Sequence, residues 1–170
     1  MKKFFRYVSQ SIAGMIGLSV YILADTYFIS SYAGTDGLAV LNLILPLYGL
    51  LNALGNMIAV GCATRYSIRQ AAGKDVSSFF LQAIFWNFIF ALPFTFFGLF
   101  FPKQVLAILG ANAELQNLGM SYVRIILGSA FLFMANSSMT AFTRNDKNPS
   151  MAMVGSLMGS LFNIVFDYIF

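Results

Sequence analysis

The stretch SMAMVGSLMGSLFNIVFDYIF, Ser150 to Phe170, is an apolar run that carries Asn163 and Asp167 inside it. About 20 helical residues cross the hydrocarbon of a bilayer, so the run predicts a transmembrane helix. Residues three and four apart share a helix face, and one such face reads Ser156, Gly159, Ser160, Asn163 and Asp167. The opposite stripe, Leu157, Leu161, Val165 and Ile169, is wholly apolar and is expected to meet lipid. A carboxylate facing hydrocarbon costs several kcal/mol. The polar stripe therefore needs shelter from neighbouring helices.

Those helices are supplied by the rest of the chain. Of 170 residues 59% are hydrophobic and only 9% charged, against roughly a quarter charged in soluble domains. The mean hydropathy is +0.77. An all-α, polytopic membrane protein follows. Turn signals divide the apolar sequence into about five spans, 8–31, 38–63, 78–101, 118–142 and 150–170, separated by Gly34-Thr35-Asp36-Gly37, a polar connection from Arg65 to Lys74, Pro102, and Thr143 to Asn148. Pro46 is expected to kink the second span and Pro93 to interrupt the third. Lys103 to Gly110 reads as a short amphipathic piece at the membrane interface. Asn148-Pro149 reads as an N-cap followed by proline at the first helical position. The basic start, Lys2, Lys3 and Arg6, imitates a secretory signal, but its apolar run is too long for one.

Net charge is +4, and its placement reports orientation, not a nucleic-acid partner. Lys2, Lys3, Arg6, Arg65, Arg69, Lys74, Arg144 and Lys147 fall on one side of this layout, whereas Lys103 alone falls in a connection on the other. Basic residues accumulate in cytoplasmic connections, so the N-terminus is expected in the cytoplasm of a multi-pass cell-membrane protein and Phe170 near the outside. Arg124, within the fourth span, is expected to snorkel outward. The chain ends in an apolar run after an odd number of spans, which reads as part of something longer. Histidine is absent and there is one cysteine, Cys62. Disulfides within the chain, His-dependent zinc sites and His-based nucleophile pairs are thereby excluded. No enzyme is expected.

In the first span Asp25 is the only acid, on a face that reads Gly14, Gly17, Tyr21, Asp25 and Phe28. Glycines let a neighbouring helix approach closely. The other face, Ile12, Met15, Ile16, Val20 and Leu23, suits lipid. At about 1.5 Å per residue, Asp25 and Asp167 each lie roughly 25 Å from the inner surface. Burial and mutual repulsion disfavour two charged carboxylates at one level, so the pair can exchange a proton near neutral pH or hold a cation, with Asn163 one turn below. The plainer readings are that Asp25 caps a helix break, that Asp167 meets water at the outer interface, and that Asn163 only bridges helices. Gly155 and Gly159 form a GxxxG pattern that packing within one protein explains as well as dimerisation does.

At these residues the sequence resembles the MATE family of multidrug and toxic compound extrusion transporters, in its bacterial branch. The resemblance is carried by Phe142 to Pro149 followed by Gly159 and Asn163-Ile164-Val165-Phe166-Asp167, by Leu23-Ala24-Asp25-Thr26-Tyr27-Phe28-Ile29, by Gly61 to Asp75, and by Pro102 to Arg124 with Gly110-Ala111 and Tyr122-Val123-Arg124. It implies two six-helix lobes related by a repeat, of which residues 1–170 form most of the first, with the second lobe missing here. It implies export of small cationic, amphipathic, drug-like substrates in exchange for protons or sodium, with no other cofactor. The cation or proton site it implies is Asp25, Asn163 and Asp167, which would also be the place for sodium, with Tyr122 in the same polar network. Thr140, a further candidate for that network, stands where many members have asparagine, and no proline occurs early in the first helix. The alternatives are a flippase for lipid-linked oligosaccharides from the same superfamily, which would want basic residues in its cavity, and a non-transporting membrane assembly subunit. An intramembrane aspartyl protease is a remoter one.

Overall fold

Apolar sequence without β-alternation, punctuated by glycine and proline, is expected to form helices. The computed structural model describes residues 2–146 and 149–169, and side chains within them except at 2–7, 10, 11, 18, 21, 149, 163, 166 and 167. Six helices account for nearly all of them: α1 (Lys2–Ala71), α2 (Ser77–Phe100), α3 (Pro102–Ile108), α4 (Ala113–Gly128), α5 (Ala130–Asn145) and α6 (Pro149–Ile169). No strand occurs among the described residues. The chain is an all-α, polytopic membrane protein. It divides into two compact units, residues 1–38 with 143–170, and residues 39–142.

Helix α1 is two arms joined at Gly34, whose backbone (φ 60°, ψ −149°) is not helical. Only glycine adopts that region readily. Close behind, Gly37 is buried, and a methyl group there would collide with Ala33. The chain turns tightly because both positions lack a side chain. Pro46 does not interrupt the second arm, and α2 is likewise continuous through Pro93. In each case the missing N–H removes one backbone bond while the remaining ladder holds the helix.

The second arm runs on to Ala71, so Arg65 and Arg69 are helical residues and not part of a loop. Their long side chains are good helix formers whatever their polarity. The helix ends where Gly73 takes φ 66°. Gly73 N–H donates to Gln70 O at 3.1 Å and Lys74 N–H to Arg69 O at 3.0 Å, the paired bonds of a glycine-terminated helix. Asp75 then accepts from Ser77 N–H at 3.0 Å and from its hydroxyl at 3.1 Å, starting α2. The backbone bond from Ser77, followed by that from its hydroxyl, holds the exposed Asp75 carboxyl below its ordinary value.

The piece expected at the interface is α3, and Leu106 within it is fully buried. Leu106 joins Val40, Ile44, Leu51, Ala91, Val123, Leu127, Ala130 and Met134 in the main core of residues 39–142. Asn112 caps α4 by accepting from Leu115 N–H at 2.9 Å, and Lys103 reaches Asn117 Oδ1 at 2.7 Å across the same connection.

The expected fourth span is broken. Helices α4 and α5 meet at Ser129 with a bend of 44°. Gly128-Ser129 is the kind of pair at which helices kink, and Thr95 Oγ1 donates to Leu127 O at 3.2 Å, taking a carbonyl at the break. Arg124 is exposed on α4. Two described helices are long and apolar enough to cross a membrane, one of them the stretch 12–71 that contains the Gly34 break, and the bent α4–α5 pair makes a third if it is one span. Helix α6, at 21 residues, has the length of a crossing. Pro149 is its first residue, and the Asn148 cap lies outside the described residues.

Candidate functional site

The site is built on the first arm of α1 and on α6, both in the unit formed by 1–38 and 143–170. On the first arm the face bearing Asp25 is the sheltered one. Gly14, Gly17, Asp25 and Phe28 are half-buried, whereas Ile12, Met15, Ile16, Val20 and Leu23 are each about half or more exposed. Tyr21, on the same face by spacing, lies outside the described side chains. A helix that turns its glycines and its one acid inward and its large aliphatics outward behaves as a lipid-facing helix should.

At Gly17 that face meets α6. A methyl group on Gly17 would lie 2.5 Å from Leu157 Cδ2, so the two helices pass closely at this point. Leu157 is therefore not a lipid-facing residue, contrary to the stripe expected from the sequence. The reason is that Gly17 opens a hollow which a branched aliphatic side chain fills, whereas serine and glycine cannot. Among the described side chains of α6, Ser150, Met153, Leu157, Ser160 and Ile164 are half-buried, while Ser156, Gly159, Leu161, Val165 and Ile169 are exposed. Relative to expectation, the sheltered stripe is turned partly round the helix toward the aliphatic side. Ser156 and Ser160 spend their hydroxyls within the helix, donating to Ala152 O and Ser156 O, each at 3.0 Å. Gly155 and Gly159 have open space where a side chain would be.

Asp25 is half-buried and engaged within the chain. One residue on, Thr26 Oγ1 donates to Ile22 O at 2.8 Å, so that hydroxyl is committed to its own helix. Asn163 and Asp167 are on α6, and their side chains lie outside the described ones. By spacing, Asp167 follows Ile164 by three residues and so continues the stripe Met153, Leu157, Ser160, Ile164 along the helix. Tyr122 and Thr140 belong to the other unit, on α4 and α5, and both are half-buried. Tyr122 packs on the main core beside Val123 and Leu127 and also has a partner within the chain.

One polar pair was not anticipated. Asn87 of α2 and Ser138 of α5 are completely buried, and Asn87 Nδ2 donates to Ser138 Oγ at 2.7 Å. Asn87 Oδ1 has no hydrogen-bond partner among the described residues. The signal was a single asparagine in a run of phenylalanines, which the hydropathy of the run concealed.

The MatE family model matches residues 11–169. The multidrug export protein MepA of Staphylococcus aureus (strain bovine RF122 / ET3-1) is 32% identical over 166 residues, covering 92% of this chain and 36% of MepA. A crystal structure of MATE in complex with MaD3S superposes with a TM-score of 0.84 at 27% identity, covering 96% of this chain and 38% of that one. The outward-facing conformation of a multidrug resistance MATE family transporter of the MOP superfamily gives 0.83 at 28%, covering 96% and 37%. The chain thus spans about 36% of the length of the curated relative it matches.

Proposed function

The chain belongs to the MatE family, and on that premise we propose that it forms most of the first lobe of an exporter of small cationic, amphipathic compounds, driven by the return of protons or sodium. The family consists of transporters, and the chain is no enzyme. The observation that carries the reading is the close passage of Gly17 and Leu157. It makes the helix of Asp25 a neighbour of the helix that bears Asn163 and Asp167.

Their register supports a shared level. Asp25 follows Gly17 by eight residues and Asp167 follows Leu157 by ten, which at about 1.5 Å per residue is about 12 Å and about 15 Å from the same crossing. With both helices running from the cytoplasm outward, the two acids stand at similar depth. Acids inside a membrane at one level are suited to being loaded and emptied of a cation. In this reading Asp25, Asn163 and Asp167 bind the coupling ion, and the N-terminus is cytoplasmic. Export itself needs a second lobe, against which this one rocks to expose the site to each side in turn.

The test is ethidium efflux from cells expressing the full-length protein. Asp25→Asn and Asp167→Asn are each expected to reduce efflux at least tenfold with expression unchanged. Efflux unaltered in both removes the mechanism. Replacing sodium by choline, and separately collapsing the proton gradient, then tells which ion drives the exchange.

A further inference from the structure

Between the second arm of α1 and α2 lies a groove of about 520 Å3, lined by Met57, Gly61, Arg65, Phe79, Gln82 and Trp86 among others. Asp25, Asn163 and Asp167 belong to the other unit. On α1 the lining residues Met57, Gly61 and Arg65 repeat every four positions, and on α2 Phe79, Gln82 and Trp86 follow at three and four, so each helix contributes one face. The groove is polar at one end only. Arg65 and Gln82 lie toward the turn at 72–76, while Met57 and Phe90 close the far end with apolar surface. Its flanks are exposed aliphatic and aromatic residues, Leu81 at 69% and Phe85 at 58%.

At the polar end Arg65 has no ion pair with any described residue. Arg69 lies at the rim, its guanidinium 5.6 Å from the centre of the Phe79 ring, and its charge acts on the Asp75 carboxylate, which also accepts from Ser77, so the unmatched cation is Arg65. A cationic compound would be repelled here, and a neutral one would leave Arg65 unmatched beside hydrocarbon. Basic pockets between membrane helices suit anionic lipid headgroups. We propose that this groove is a binding site for an anionic phospholipid, its phosphate on Arg65 and one acyl chain lying along Gly61, Trp86 and Phe90.

Trp86 is the only tryptophan among residues 1–170, so with any tryptophan elsewhere in the full-length protein replaced by phenylalanine its fluorescence reports on the groove directly. The protein is reconstituted into phosphatidylcholine vesicles doped with brominated phosphatidylglycerol or, in parallel, with brominated phosphatidylcholine. Phosphatidylglycerol is expected to half-quench Trp86 at about one-fifth of the mole fraction that phosphatidylcholine requires, the preference that one basic side chain confers near a membrane surface. Arg65→Gln is expected to abolish that preference and Arg65→Lys to retain it. Gly61→Leu keeps every charge and meets open space at its Cβ position, so it folds while filling the groove, and it too is expected to abolish the preference. Equal quenching by the two lipids in the unaltered protein, or a preference that survives both Arg65→Gln and Gly61→Leu, overturns the proposal.

Discussion

Gly17 and Leu157 lie so close that a methyl carbon on the glycine would sit 2.5 Å from the leucine Cδ2. Between helices in lipid there is little hydrophobic drive, and association depends on packing that small residues permit. The pair therefore sets how closely the Asp25 helix and α6 approach. Because the obstructing atom is the end of a flexible side chain, Gly17→Ala should cost less than about 1 kcal/mol, whereas Gly17→Phe should cost about 1–3 kcal/mol as the helices are forced apart. Leu157→Ala in the same chain should restore part of the loss. Unfolding of helicity in mixed detergent micelles checks both.

Gly98 makes the opposite case. A methyl group there would collide with the Cβ of Leu127, which is fixed to the α4 backbone and cannot swing aside, and Leu127 is 2% exposed. Gly98→Ala should therefore destabilise more than Gly17→Ala, by about 1–3 kcal/mol. The same unfolding measurement compares the two, and equal costs would show that the backbone there yields.

The Asn87–Ser138 bond predicts non-additivity. Ser138→Ala leaves the Asn87 amide without its acceptor beside an Oδ1 that already lacks a hydrogen-bond partner among the described residues, at a cost of about 1–3 kcal/mol for a buried polar group. Asn87→Leu removes both unsatisfied groups at once. In a double-mutant cycle the pair of changes should cost less than the sum of the singles, by about 0.5 kcal/mol or more. Strict additivity would mean that the two side chains do not depend on each other.

How much of this was legible follows from period and length. The sheltered face of the first arm could be read because glycine and aspartate recur at helical spacing against five large aliphatics, and a lipid-facing helix admits only one arrangement of those. The face of α6 was misread at Leu157, since a helix wheel shows which stripe is greasy but not that a glycine on a neighbour will receive it. The second arm was ended early because hydropathy falls at Arg65, although arginine and glutamine sustain a helix as well as leucine does. The break at Ser129 was missed because Gly128-Ser129 sits inside an otherwise unbroken apolar run, and its stabilising partner, Thr95, is 32 residues away in sequence.

The Asp75 cap gives a pH dependence. Its bonds to Ser77 lower the carboxyl below its ordinary value, so the folded form favours the ionised acid. The cap's contribution is present above the unfolded pKa, about 3.9, and is lost as pH falls through the lower folded value. The Ser77 amide should therefore keep its hydrogen-exchange protection, after correction for intrinsic rate, until the pH drops below about 4. Asp75→Asn should flatten that dependence while leaving the rest of α2 protected.

Gly34 joins the two arms of α1 at φ 60°, ψ −149°, a region that is costly for any residue with a side chain, by about 1–3 kcal/mol. A methyl group there would meet nothing within 4 Å, so crowding plays no part and the whole effect of Gly34→Ala is backbone strain. The variant has one way to relieve it, which is to continue as a helix through residue 34 and straighten the turn toward Gly37. Unfolding of helicity in mixed detergent micelles should therefore show Gly34→Ala destabilised by about 1–3 kcal/mol, whereas Gly14→Ala, where open space and a helical backbone leave nothing to strain, should cost nothing or stabilise slightly. Equal stabilities of the two variants would show that the turn is held by the flanking helices and not by the glycine.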